Sequence, residues 1–189
     1  KSNTDQGKAI NLYKTMLDTV SRNKLGIAPL KAYLKKINAV KNVKDLQALL
    51  IEMEPTGGIG FFGAGVGTDA KNSNVNVINL GPGGVGLPDR DYYVSDEKDS
   101  KEKREKYVLH VAKMLQYLGD KPEQAKANAE KILALEIEMS KPRFDRVERR
   151  DRRKSYNPMT VAEIQKLTPS IDWTTYFTKI GLPTNQTII

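Results

Sequence analysis

Residues 81–86 read Gly-Pro-Gly-Gly-Val-Gly, and Gly81, Gly83 and Gly86 carry the glycine spacing of a loop that cradles a dinucleotide pyrophosphate. The alternating stretch before them, Val75 to Leu80, reads as a strand. Phosphate binding also needs a helix that begins inside the motif, so that its first amides face the anion, and a parallel strand after the helix. Here Leu87, Pro88 and Asp89 follow instead, and the next long helical pattern opens well beyond them and leads into another helix. A second near-match, Gly-Val-Gly-Thr-Asp-Ala from Gly65, runs into a turn, and the lysine of a Gly-Lys-Ser/Thr loop is missing. The glycines are therefore expected to serve tight turns and close backbone packing, with Gly83 or Gly86 at positive φ, and no cofactor-binding residue is assigned.

His110 is the only histidine and there is no cysteine, so neither a His-Glu-x-x-His zinc helix nor a thiolate site can be built from this sequence. The histidine sits on the flank of a helical pattern beside Leu109 and Val111, and no nucleophile-elbow sequence accompanies it, which predicts a packing or surface role. Glu130, Glu136 and Glu138 are the candidate paired carboxylates. Glu136 and Glu138 lie two apart on a helix and point in different directions, so they do not converge on a substrate. Glu136 stands among Leu133, Leu135 and Ile137, where an acid needs a cation or hydroxyl; Arg149, Arg152, Arg153 and Tyr156 are the candidates. No catalytic and no metal residue is assigned.

The formal net charge is +8, from 31 Lys and Arg against 23 Asp and Glu. Its densest part, residues 143–154, interleaves seven basic residues with Asp145, Glu148 and Asp151. Interspersed acids favour internal pairing over a phosphate track, so no nucleic-acid partner is expected.

Those residues need elements to hold them. Apolar positions recur at helical spacing over 6–22 (Ile10, Tyr13, Leu17, Val20), again through Leu30, Leu34 and Ile37, and in a third helix capped by Asn42 with Val43, Leu46, Leu49, Leu50 and Met53 facing a core. Pro55 with Gly57 and Gly58 ends that third helix. The period then changes to two, and turn residues from Asp69 to Asn74 predict a two-stranded ribbon over about residues 60–80. Two long helices follow, 98–118 and 122–141, the second apolar on most sides and expected to be central. Pro142 stops it, Thr160 with Glu163 forms a capping box, and Asp172 caps the last helix before Gly181 and Pro183. The fold class is mainly α: one multi-helix domain over 1–189 with one small β-ribbon.

At 189 residues the chain is long enough to bury a sizeable core, and no apolar run approaches the ~18 residues of a membrane span. The sequence starts without Met or a signal-peptide core and stops at an apolar β-like Asn-Gln-Thr-Ile-Ile with nothing to pair it, which predicts a piece of a longer chain.

Three stretches stand in the order found in one enzyme family: residues 11–19, residues 62–94 containing Gly-Leu-Pro-Asp-Arg-Asp-Tyr-Tyr (86–93), and residues 149–167 containing Tyr-Asn-Pro-Met-Thr (156–160), followed by Ile171 to Phe177. Over essentially its whole length the chain resembles the neprilysin and endothelin-converting enzyme family of zinc metallopeptidases. The resemblance implies the N-terminal, mostly helical and non-catalytic part, which closes over the catalytic domain and restricts substrates to oligopeptides. It also implies that zinc, its ligands and the general base belong to the C-terminal part, so that this segment holds no site residue and is inactive alone. Its partners would be that missing domain and oligopeptide substrates. Animal members often contain disulfides, so the lack of cysteine favours a bacterial enzyme exported to the periplasm or cell surface. The alternative is a free-standing helical module for peptides or a polyanion.

Overall fold

The computed structural model describes residues 3–57 and 60–189. The chain divides into two compact units, 1–39 and 40–189. Mainly helical architecture with one antiparallel ribbon is what the structure has: ten α-helices and a two-stranded sheet among the described residues.

The first unit holds α1 (Asp5–Leu17), α2 (Thr19–Leu25), a 3₁₀ turn at Ala28–Leu30 and α3 (Lys31–Ala39). One helix over 6–22 was the expectation, and this is corrected. The chain breaks at Asp18, whose ψ of 73° leaves the helical region and whose carboxylate accepts the Ser21 amide at 2.9 Å, capping α2. A side chain that bonds its own following backbone competes with helix continuation, and apolar periodicity alone does not register that competition. None of the elements in this unit has a buried residue.

The second unit begins with α4 (Val43–Met53), capped as expected by Asn42 accepting from the Asp45 amide at 3.0 Å. A 3₁₀ turn at Glu54–Thr56 ends at Gly57, where φ is +103°, a value that favours glycine; Gly58, expected to share in the stop, lies outside the described residues. β1 (Phe62–Thr68) and β2 (Asn76–Pro82) then pair antiparallel, with Phe62 opposite Pro82 and Thr68 opposite Asn76. The short α5 (Asp91–Val94) leads into α6 (Lys98–Tyr117), and Gly119, at φ +111°, turns the chain back into α7 (Pro122–Ser140). Small residues let these two helices approach: Ala112 on α6 meets Ala125 and Ala129 on α7, all buried. α8 (Arg152–Ser155), α9 (Val161–Leu167) and α10 (Trp173–Lys179) complete the unit, α9 behind the expected Thr160–Glu163 capping box.

The expectation that α7 is central does not hold. Its large aliphatics are at most half-buried, Leu135 is 53% exposed, and its fully enclosed positions are Ala125, Ala129 and Ser140. The main core instead gathers where α9 and α10 meet β2, around Ile78, Ile164, Trp173, Tyr176, Phe177 and Ile188. Phe62 from β1 stacks into it with ring centres 4.9 Å from Trp173 and 5.2 Å from Tyr176. Burying such side chains stabilises by about 1.5–3 kcal/mol each, and the edge-to-face geometry adds to that. Their polar ends are met: Trp173 Nε1 donates to Thr168 Oγ1 at 2.6 Å and the Tyr176 hydroxyl to Glu54 at 3.0 Å.

The end of the sequence is paired, against expectation. Ile188 bridges Ile78 in parallel and Met159 in antiparallel sense. Ile189 N donates to Ile78 O at 2.8 Å, and Leu80 N donates to Ile189 O at 2.7 Å. Ile188 is 1% exposed, so this apolar end closes the core beside β2.

Candidate functional site

The glycine loop leaves β2 at Gly81–Pro82 and reaches α5 through Leu87–Pro88–Asp89. Neither Gly83 nor Gly86 has positive φ, which corrects the expectation; among the described residues positive values fall at Gly26, Gly57, Gly60, Gly119 and Gly181. What the two positions require is space. A Cβ on Gly83 would stand 2.6 Å from the Gly60 carbonyl carbon, and one on Gly86 would stand 2.6 Å from Cζ of Tyr107. No helix begins inside the loop, and α5 has four residues.

The amide that a phosphate would need is already bonded. Gly86 N donates to Glu136 Oε1 at 2.8 Å, and the Tyr93 hydroxyl donates to Glu136 Oε2 at 3.0 Å. Leu87 N in turn donates to the Tyr93 hydroxyl at 2.6 Å. Tyr107 lies near enough to feel the same carboxylate. Burial first, then the Glu136 charge, pushes the Tyr93 hydroxyl up to about 12 and raises that of Tyr107 as well, so both phenols stay protonated donors. The expected partners of Glu136, Arg149, Arg152, Arg153 and Tyr156, are thus replaced by the Tyr93 hydroxyl and a glycine amide. Tyr156 instead donates to Asp69 at 3.2 Å. The sequence signal was available: an acid on an apolar helix face needs donors, and Tyr93 closes the Leu-Pro-Asp-Arg-Asp-Tyr-Tyr run.

A second cluster ties the basic segment to the same loop. Asp89 is 8% exposed, and its Oδ2 accepts from Arg146 Nε at 3.0 Å and from Arg149 Nη2 at 2.6 Å. Burial alone would raise the Asp89 carboxyl, but the two guanidinium bonds outweigh it and hold it below the usual carboxylate value. Further along the basic run, Arg153 pairs with Asp151 and Lys154 with Glu148, at 2.9 and 2.8 Å. Asp145 accepts instead from the backbone amides of Val147 and Glu148. Internal pairing is therefore what the interspersed acids do, with Asp89 as an additional acid that the local pattern did not include.

The other candidates stay apart. His110 is exposed on α6, Glu130 is exposed on α7, and Glu138 pairs with Lys141 one turn along. Glu136 and Glu138 do not converge. The described residues contain no group of three histidine, cysteine, aspartate or glutamate side chains placed to hold a metal, so they do not fit a zinc centre. No helix of the described residues is long and apolar enough to cross a membrane.

Between the glycine loop and the segment after α7 lies an open cleft of about 910 Å³. Phe61, Leu80, Val85, Leu87, Met139 and Phe144 supply its apolar wall, and Asp89, Arg90, Arg143 and Arg149 its charges.

The ribbon, the helix hairpin and the carboxylate-locked glycine turn belong to a mainly helical fold with no metal centre among its described residues. The sequence profile of peptidase family M13 matches residues 1–189, and the chain belongs to that family, as the N-terminal part of its members. Endothelin-converting enzyme 1 of Cavia porcellus is 35% identical over 124 residues, 65% of this chain, and that of Homo sapiens is 34% identical over 124 residues. The match spans 16% of the length of either relative. Among solved structures, Mycobacterium tuberculosis zinc metalloprotease ZMP1 in complex with an inhibitor superposes with a TM-score of 0.84 at 28% identity, over 94% of this chain and 27% of that one. PepO from Lactobacillus rhamnosis shares the fold, with a TM-score of 0.78 at 16% identity over 90% of this chain and 27% of that one.

Proposed function

We propose that residues 1–189 form the non-catalytic, N-terminal part of an exported zinc metalloendopeptidase, and that this part walls the chamber in which peptides are cut. The observation that carries the reading is the M13 match over residues 1–189 in a chain that spans only 16% of the length of its endothelin-converting enzyme relatives. The metal set supports it. With one histidine and no cysteine, and with no ligand cluster among the described residues, zinc and the groups that activate water would have to come from the remainder of the parent protein. The Glu136 lock supports it too, because a wall must hold its shape, and two bonds to one carboxylate fix the glycine turn and α5 against α7.

A chamber enclosed by a helical wall selects substrates by size, since only short or flexible chains pass into it. The test uses the full-length enzyme and one scissile sequence presented in three forms: a short peptide, a long unstructured peptide, and a loop of a folded protein. Cleavage of the short peptide with a kcat/KM at least tenfold above that of the folded form supports the reading. Equal cleavage of all three would overturn it.

A further inference from the structure

The cleft between the glycine loop and the segment after α7 is not explained by the wall alone. Its charged lining is one aspartate and three arginines, a net of +2. Asp89 is already committed, its Oδ2 taking both Arg146 and Arg149. The arginines are underused. Arg143 spends Nε on the Met139 carbonyl at 3.1 Å, which fixes the guanidinium at the cleft, and its two terminal nitrogens make no hydrogen bond among the described residues. Arg90 makes one long hydrogen bond, 3.4 Å to Asp91, and also feels the Asp145 charge, while its Nε is buried with no hydrogen-bond partner among the described residues. A guanidinium has five donors in a rigid fork that matches a carboxylate. The same cleft is lined by two partly exposed aromatic rings, Phe61 at 42% and Phe144 at 38% exposure, and by Met139 and Leu87.

We propose that this cleft is a peptide-binding site that takes an apolar side chain next to an acidic one, the acid read by Arg143 and Arg90 and the apolar group seated against Phe61 and Phe144. Charge complementarity selects the partner. A net positive, aromatic-lined cleft repels a basic peptide and gains little from a polar neutral one, whereas an acidic and apolar segment satisfies both the open donors and the exposed rings. The site deepens the peptidase reading, on which it rests, by giving the enzyme a preference for acidic-apolar peptides.

The test is calorimetric titration of the full-length protein, with a chelator present so that no peptide is cut, using acetylated and amidated peptides whose only carboxylates are side chains. The probe is Gly-Phe-Glu-Leu-Glu-Gly, and its counterpart carries Lys in place of each Glu. The expected result is a dissociation constant about tenfold or more lower for the acidic peptide, weakening as salt rises. In Arg143→Gln that preference should fall at least fivefold while Trp173 emission stays unchanged. Equal affinity for the two peptides, or a preference that Arg143→Gln leaves intact, overturns the inference. Hydrolysis measured without chelator separates the two ideas: cleavage without the acidic preference leaves the peptidase reading standing and removes the site, and the preference without cleavage does the reverse.

Discussion

At Glu136 a single carboxylate on α7 holds two groups from much earlier in the sequence: the glycine loop at Gly86, 50 residues before it, and α5 through Tyr93, 43 residues before it. Two of the loop's glycines are needed for space: the Gly60 backbone stands where a side chain on Gly83 would go, and the Tyr107 ring where one on Gly86 would go. Gly86→Val should therefore destabilise by about 1–3 kcal/mol through overpacking against Tyr107. Gly84→Val, where a Cβ meets nothing within 4 Å, should cost much less. Urea denaturation followed by Trp173 emission compares them, and equal midpoints would contradict the packing account. Asp89 makes a pH-dependent contribution. Its folded-state pKa lies below the 3.8 of a free aspartate, so its stabilisation is complete above that value and is lost as pH falls through the folded pKa. Asp89→Asn should thus lower the melting temperature at pH 7 and lose that penalty in acid below about pH 4. A penalty that is constant from pH 7 to pH 3 would mean that the Arg146 and Arg149 bonds are not what Asp89 supplies.

Among the elements, α10 contributes most to the core. Trp173, Tyr176 and Phe177 fall on one face of its seven residues and all are buried. Phe177, at 0% exposure, packs 5.7 Å from Trp173 and 5.6 Å from Tyr176. Phe177→Ala should cost about 3–5 kcal/mol, and thermal unfolding read by the single tryptophan measures it. A loss under 1 kcal/mol would place the core elsewhere. Helix positions, caps and the ribbon were legible because they are local: Asn42, Thr160 and Asp172 each accept from an amide three residues on, as their types and spacing predict. The break at Asp18 was not, since apolar spacing continues through it. Nor was the placement of α7, whose burial depends on which helices lie against it. Glu136's need for a donor could be read from its apolar neighbours, but the donors themselves, at sequence separations of 43 and 50, are a product of the fold. Ile188 is similar, since pairing with Ile78 across the chain cannot be seen in an isolated apolar end.

For the molecule as a whole, family membership was legible in Gly-Leu-Pro-Asp-Arg-Asp-Tyr-Tyr and Tyr-Asn-Pro-Met-Thr, and the first of these is now physically accounted for. Its Gly86 fits under Tyr107, its Leu87 amide and Tyr93 hydroxyl bond each other, and its Asp89 receives two arginines. The second motif opens the capping box of α9 at Thr160 and carries Met159 into its bridge with Ile188. What these residues do is structural, and the proposed division of labour follows: this part shapes and selects, and the remainder of the parent holds zinc. The most direct test of that claim is hydrolysis of a fluorogenic peptide, with and without chelator, by the 189-residue chain and by the full-length protein side by side. The account predicts chelator-sensitive cleavage by the full-length protein and none by the chain. Chelator-sensitive cleavage by the 189-residue chain alone would contradict it.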